Sequence, residues 1–315
     1  SLIGTFGNPN FISAYLGMGG TAVFAVLLGW KKNLLQRAFF ILSLVVIALL
    51  ILRSNSRQGI VVLIGGCAFV FFFYLRSLNK TKILQALYLG IIGVVGVFSI
   101  AGALKKGPLA EVIYKNSVAF RGEYWNAGIE MFKSHPFAGV GLNSYGDWYR
   151  EIRGSISALR TGPERTANTA HNIFLDLSSN GGLPLILSYL ALLGFALAIS
   201  FRWISKNKDF DPYFVAIFSC WVAYQIQALV SINQIGIGVW GWILNGALIG
   251  YGISVTPEAA KELWNGSGFE AIEAPAEEEA PAEEEAPAEE APAEEEAPAE
   301  EEAPAEEESE EKDSS

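Results

Sequence analysis

His171 is one of two histidines in this chain of 315 residues. It stands in the stretch ERTANTAHNIFLDLSSNGG (164–182), between a polar, arginine-bearing segment and a long apolar one. Two readings fit it. An imidazole with an ordinary pKa of about 6.5 is mostly neutral at pH 7 and can take a proton from a hydroxyl. A polar residue ahead of an apolar run can equally belong to a helix start, with Thr169 or Asn168 as the cap. The arginines suggest what a base here would act on. Arg53 and Arg57 lie four residues apart between two apolar runs, and a helical backbone there would put them on one face. Arg121 opens the stretch RGEYWNAGIEMFKSHPFAGVGLNSYG (121–146), with Trp125 close behind, and Arg150, Arg153, Arg160 and Arg165 follow. A guanidinium donates two parallel hydrogen bonds to phosphate oxygens and keeps its charge, so this set suits a diphosphate. Arginines near His171 would also lower its pKa and keep the base free of its proton.

Other chemistries find less support. The chain has no HExxH, Walker A, GxSxG or CxxC pattern. Asp209 and Asp211 form a D-x-D pair, which reads as loop acids ahead of a helix. Cys67 and Cys220 lie in apolar runs without metal-ligand spacing and read as buried free thiols. His135, in the turn-like SHPF, reads as structural. No paired carboxylates stand close together near His171, so neither a metal nor a cofactor is required, and arginine can neutralise phosphate instead.

These residues need elements to hold them. Half of the chain is apolar, at 51%, and mean hydropathy is positive. Residues 1–269 carry 21 Lys and Arg against 11 Asp and Glu, so a basic body precedes an acidic end. Seven apolar runs, near 11–30, 37–53, 58–75, 83–103, 182–204, 212–230 and 236–255, approach the roughly 20 residues that a membrane helix needs. Positive charge falls in alternate short loops: Lys31, Lys32 and Arg37; Arg76, Lys80 and Lys82; Arg202, Lys206 and Lys208. The positive-inside rule makes these loops cytoplasmic. The long segment of about 104–181 then lies outside, with the arginines and His171, and the tail lies inside. NIFLDLSSNGG reads as a short surface helix ended by Gly181 and Gly182. From residue 257 the chain reads as a tail, and its EAPAEE repeats carry prolines at 275, 281, 287, 292, 298 and 304. Proline at that frequency forbids a continuous helix, and the charge forbids a core. The expectation is an all-α integral membrane domain over 1–256 and a disordered acidic tail over 257–315. The start at Ser1, without an initiating Met, suggests that upstream segments are missing.

The ordered set GTFGNPNFISAYL (4–16), SNSRQG (54–59), RGEYWNAGIEMFKSHPFAGVGLNSYG (121–146) and TAHNIFLDLSSNGGLPL (169–185) resembles the O-antigen ligase/polymerase superfamily over roughly residues 4–250. The resemblance implies a multi-spanning bacterial inner-membrane glycosyltransferase of C-type architecture, active on its periplasmic face. The donor would be a polyprenyl-diphosphate-linked glycan, usually undecaprenyl-linked. The acceptor would be lipid A core, a growing glycan or a protein hydroxyl. Membrane lipids would be its other partners, and nucleic acid would not be one. By motif position, Arg57 and Arg121 would hold the diphosphate, and His171 would be the base of an inverting transfer. Asn172 would help orient it. Asn8 and Asn10 also match a family motif and would be structural or close to substrate. Arg53, Arg165 and Trp125 complete the candidate binding set. Seven spans, against about a dozen in full-length members, imply that an N-terminal half is missing, and the acidic tail is not part of the family pattern. A membrane transporter or lipid-binding protein is the alternative. A transporter should show an ionisable or Gly/Pro-broken site near mid-membrane, and no span carries an ionisable residue at its centre.

Overall fold

The computed structural model describes residues 6–29, 33–78, 82–114, 116–162, 164 and 166–254. Arg165, Lys31, Lys32, Lys80 and the acidic repeats lie outside the described residues. The chain divides into two units, Ser1–Phe269 and Glu270–Ser315. Among the described residues the first unit is helical throughout: α1 (Pro9–Gly29), α2 (Leu34–Arg53), α3 (Arg57–Ser77), α4 (Lys82–Ala103), α5 (Ala110–Ile113), α6 (Asn116–Ser134), α7 (Tyr145–Ile152), α8 (Ser155–Thr161), α9 (Ile173–Lys206), α10 (Pro212–Ala228) and α11 (Ile235–Ser254).

Six of these, α1, α2, α3, α4, α9 and α11, are long and apolar enough to cross a membrane. Side chains on α2 and α4 show why lipid is the fitting solvent. Leu42, Val45, Leu49 and Leu52 on α2, and Leu87, Ile91, Val94 and Val97 on α4, are exposed large apolar groups that water would penalise. The seventh expected span, 212–230, is shortened to the 17 residues of α10. Asp211 caps it by accepting the N–H groups of Tyr213 and Phe214, and it stops at Ala228. At 1.5 Å per residue that is about 25 Å, less than the roughly 30 Å of hydrocarbon. The physical reason is its place in the bundle. α10 packs on α1, α3 and α11 and buries Phe214, Val215, Phe218, Trp221 and Tyr224, so protein rather than lipid sets its length.

Small residues let the central helices meet, as expected where lipid supplies no hydrophobic drive between them. A Cβ on Gly59 of α3 would stand 2.6 Å from the Ser13 carbonyl oxygen of α1. Side-chain contacts define the two ends of the bundle. At one, Ser56 Oγ donates to Asn10 Oδ1 at 2.7 Å, and Phe6 lies against Gly236, gathering the starts of α1, α3 and α11. At the other, the Arg76 guanidinium donates to the Ile204 and Asn207 carbonyls, and Tyr251 donates to Asp211. We call these the Asn10 end and the Arg76 end.

α9 starts at the Asn10 end and is two limbs rather than one rod. Gly182, at φ 64° and ψ −161°, breaks it into Ile173–Gly181 and Leu183–Lys206. The glycine pair thus ends a short helix, as the sequence implies, and the second limb has the length of a span. A helix break orphans backbone groups. Here the segment after α6 answers them: Leu183 N–H donates to the Pro136 carbonyl at 2.7 Å, and Val140 N–H donates to Ser179 at 2.8 Å.

Candidate active site

A second cluster, apart from the main core, forms where α6 and α7 meet the first limb of α9. Tyr124, Ala127, Met131, Tyr145, Tyr149, Ala167 and Ala170 are its buried residues. Tyr145 is fully buried, and its hydroxyl donates to the Tyr124 carbonyl at 2.5 Å. The Tyr124 and Tyr149 rings meet edge-on at 5.7 Å. This aromatic floor fixes the face of α6 that carries Arg121, which lies one turn before Tyr124.

The loop 166–172 crosses this floor. Its caps differ from the sequence expectation. Asn172, not Thr169 or Asn168, is the N-cap of α9, because its side chain accepts from Phe174 N (3.0 Å) and Leu175 N (3.1 Å). Asn172 is buried, and its Oδ1 is engaged in capping. Thr169 Oγ1 instead accepts the His171 N–H at 3.2 Å. His171 is therefore not inside the helix. It sits just ahead of the cap, with a left-handed φ of 54° that few residues other than glycine adopt.

Its half-buried ring stacks on Tyr124, with centroids 5.4 Å apart and planes 28° from parallel. Neither ring nitrogen is engaged by another group among the described residues. Burial lowers the pKa of His171, and the positive charge of Arg121 lowers it further. Arg121 is itself half-buried and has no carboxylate partner among the described residues. Burial lowers its pKa too, opposed by Tyr124. A guanidinium taken partly out of water without a counter-charge is costly, and an anionic ligand offsets that cost.

Sequence reasoning missed Asp176. It is the single acid between Glu164 and Asp209, set in an apolar helix five residues after the histidine. Its Oδ1 accepts the Ala170 N–H at 2.6 Å, and burial pushes its carboxyl up to about 7. A lone carboxylate in the first turn after the histidine was the available signal.

The other candidates fall in two places. Trp125 joins the aromatic cluster, with a buried Nε1 that has no hydrogen-bond partner among the described residues. Arg53 and Arg57 do not share a helical face. Arg53 closes α2, Arg57 opens α3, and Asn55 between them turns the chain with φ 56°. Both side chains are exposed at the Asn10 end. Asn8 Oδ1 accepts Asn10 N at 2.8 Å at the start of α1, and Asn10 Oδ1 accepts from Ser56, so both asparagines hold the helix ends beside Arg57. The structure thus brings Arg121 and His171 together. Arg57 reaches the same end of the bundle from α3, which packs on α1 and α10. A cavity of about 20 Å³ lined by Ile173, Leu177, Tyr224 and Asn233 ties the first limb of α9 to that part of the bundle. His135 packs edge-on against Trp148 at 4.7 Å, in keeping with a structural role.

Residues 42–190 match a family model described as O-Antigen ligase. The match takes in Arg53, Arg57, Arg121, His171, Asp176 and the break at Gly182, and leaves out α1, α10 and α11. No curated protein matches the chain. The matched family is, in general terms, one of bacterial membrane enzymes of the glycosyltransferase kind that take lipid-linked glycan donors and glycan acceptors. The match over residues 42–190, with the six membrane-length helices, supports an assignment to the O-antigen ligase/polymerase superfamily.

Proposed function

We propose that the protein transfers a glycan from a polyprenyl-diphosphate donor to an acceptor hydroxyl, at the membrane face formed by the Asn10 end and α5–α8. The observation that carries this is the juxtaposition of Arg121 and His171: a half-buried guanidinium that, among the described residues, has no carboxylate partner, beside an imidazole whose nitrogens no described residue engages. In the reaction, Nδ1 or Nε2 of His171 takes the proton of the acceptor hydroxyl. The freed oxygen attacks the anomeric carbon, the bond to the diphosphate oxygen breaks, and the polyprenyl diphosphate leaves with the electron pair. Attack opposite the leaving group inverts the sugar carbon. Arg121 holds the diphosphate and stabilises its growing charge, with Arg57 reaching the same ligand from α3. The positive-inside pattern makes this face periplasmic, and a C-type arrangement and a cytoplasmic tail belong to the same reading. The acceptor is a lipid A core sugar, a growing glycan or a protein hydroxyl.

The test is transfer in proteoliposomes, with an undecaprenyl-diphosphate-linked oligosaccharide as donor. His171→Ala should lower turnover by at least about 100-fold, the lower range for removal of a general base. It should leave donor binding near wild type. Arg121→Ala should weaken donor binding as well. Transfer at the wild-type rate by His171→Ala would overturn the base assignment.

A further inference from the structure

The mechanism above gives Asp176 no part, yet its side chain makes an unusual contact. Asp176 is the fourth residue of the first limb of α9, and its N–H donates to the Asn172 carbonyl at 2.8 Å, as a helix requires. Its carboxylate turns back past the helix start. Oδ1 accepts the N–H of Ala170, two residues ahead of the cap, at 2.6 Å. No helix bond can satisfy that N–H, because Ala170 lies outside the helix. Ala170 is fully buried in the aromatic cluster, where a Cβ on Gly128 of α6 would stand 3.5 Å from its methyl group. Three successive residues are thus pinned by different means. Ala170 is held by Asp176, His171 by Thr169 Oγ1, and Asn172 by its own cap bonds. Among the described residues, only the first of these ties the loop ahead of the cap to the body of α9 through a side chain of the helix itself. A histidine keeps a left-handed backbone only where its surroundings over-determine it.

We infer that Asp176 is the positioning residue of His171. Its carboxylate fixes the Ala170–His171 peptide, so that the imidazole lies on Tyr124 and beside Arg121. Asp176 acts through the backbone and not through the ring, unlike the carboxylate that hydrogen-bonds a triad histidine. The inference rests on the reading of His171 as the base.

The experiment measures where the ring sits, independently of transfer. The full chain in detergent is treated with diethyl pyrocarbonate, which modifies neutral imidazole, across pH 5–8. The peptides bearing His171 and His135 are quantified by mass spectrometry, with His135 as the internal reference. In the wild type, His171 should react with a midpoint below the ordinary histidine value of about 6.5. Asp176→Leu fills a similar volume without an acceptor. It should make His171 react about tenfold faster, about the effect of losing one hydrogen bond, and move its midpoint up toward the ordinary value. Asp176→Asn keeps an oxygen acceptor and should stay near wild type, and His135 should be unchanged in both. Unchanged rate and midpoint in Asp176→Leu would overturn the inference, as would Asp176→Asn behaving like Asp176→Leu. The two readings fail separately. Transfer retained by His171→Ala sinks the base assignment and leaves the labelling result standing, whereas unmoved labelling with an inactive His171→Ala sinks only the role of Asp176.

Discussion

Gly182→Ala strains the geometry that carries the site. At φ 64° and ψ −161° the backbone occupies a region that is essentially glycine's alone, and other residues there are strained by about 1–3 kcal/mol. An added Cβ would also stand 2.6 Å from the Phe137 carbonyl and 2.7 Å from the Pro136 oxygen. Both neighbours are backbone, so no side chain can swing away. Relief requires lifting the segment after α6 off the break. That sacrifices the Leu183 to Pro136 bond at 2.7 Å and strains the Val140 to Ser179 bond at 2.8 Å, each contributing about 0.5–1.5 kcal/mol. Strain and lost bonds together come to about 3 kcal/mol, or roughly 6–12 °C of melting temperature for a body of this size.

The assay is thermal unfolding of the full chain in a single detergent, followed by tryptophan fluorescence. Gly122→Ala is the control. That glycine lies within α6, with nothing near the position of an added Cβ, so alanine should leave the melting temperature unchanged or raise it by favouring the helix. A Gly182→Ala protein that melts within about 2 °C of the wild type would refute the reasoning, because neither the strain nor the close approach would then be real. An equal fall in Gly122→Ala would refute it differently, by showing that any added methyl group destabilises this region.

Two further outcomes follow from the same cluster. Burial and then Arg121 lower the pKa of His171; if the neutral ring is the base, as proposed, transfer should fall only as pH drops below about 6.5; Arg121→Gln should move that acid limb upward besides slowing transfer, and a limb that stays in place would deny the coupling. The stability linkage has the same sign: the unfolded chain takes up the proton first, so stability present at neutral pH declines as pH falls from about 6.5 through the lowered folded value. Asn172→Ala should reduce stability by about 1 kcal/mol through loss of the cap on Phe174 and Leu175, with Asn172→Ser recovering most of it in the same melting assay.

Much of the architecture is legible in the sequence because bilayer thickness imposes a length on apolar runs, and α2 and α4, which face lipid, obey it. α10 departs because its neighbours are helices, and nothing in a stretch of apolar residues distinguishes a lipid partner from a protein one. Gly181 and Gly182 announce the break in α9, but the residues that satisfy it lie about 40 positions earlier, at Pro136 and Val140, and no local pattern links them. The same limit governs the site. Arg53 and Arg57 look like a helical pair by spacing alone. A left-handed Asn55 separates them, and a turn of this kind has no periodic signature. His171 and Arg121 stand 50 residues apart in sequence and meet only because Tyr124 and Tyr145 build a floor between α6 and α7.

The cluster also shows how a cation can be kept available. A carboxylate, Asp176, and a half-buried guanidinium, Arg121, belong to the same small assembly, and they are not an ion pair. Had they met, the guanidinium would be neutralised within the protein, and the carboxyl would sit low, as carboxylates beside arginine do. Burial instead pushes Asp176 up to about 7, and its oxygen is taken by the Ala170 N–H. The carboxylate is thereby committed to backbone, no described carboxylate pairs with Arg121, and the Arg121 charge acts on His171. A bound diphosphate would supply the missing negative charge. It would also raise the basicity of His171 at the moment the acceptor proton must move, since the added anion offsets the Arg121 charge that lowers the ring's pKa. Donor binding and activation of the base are then one electrostatic event, which predicts an acid limb that lies higher in the donor complex than in the free enzyme.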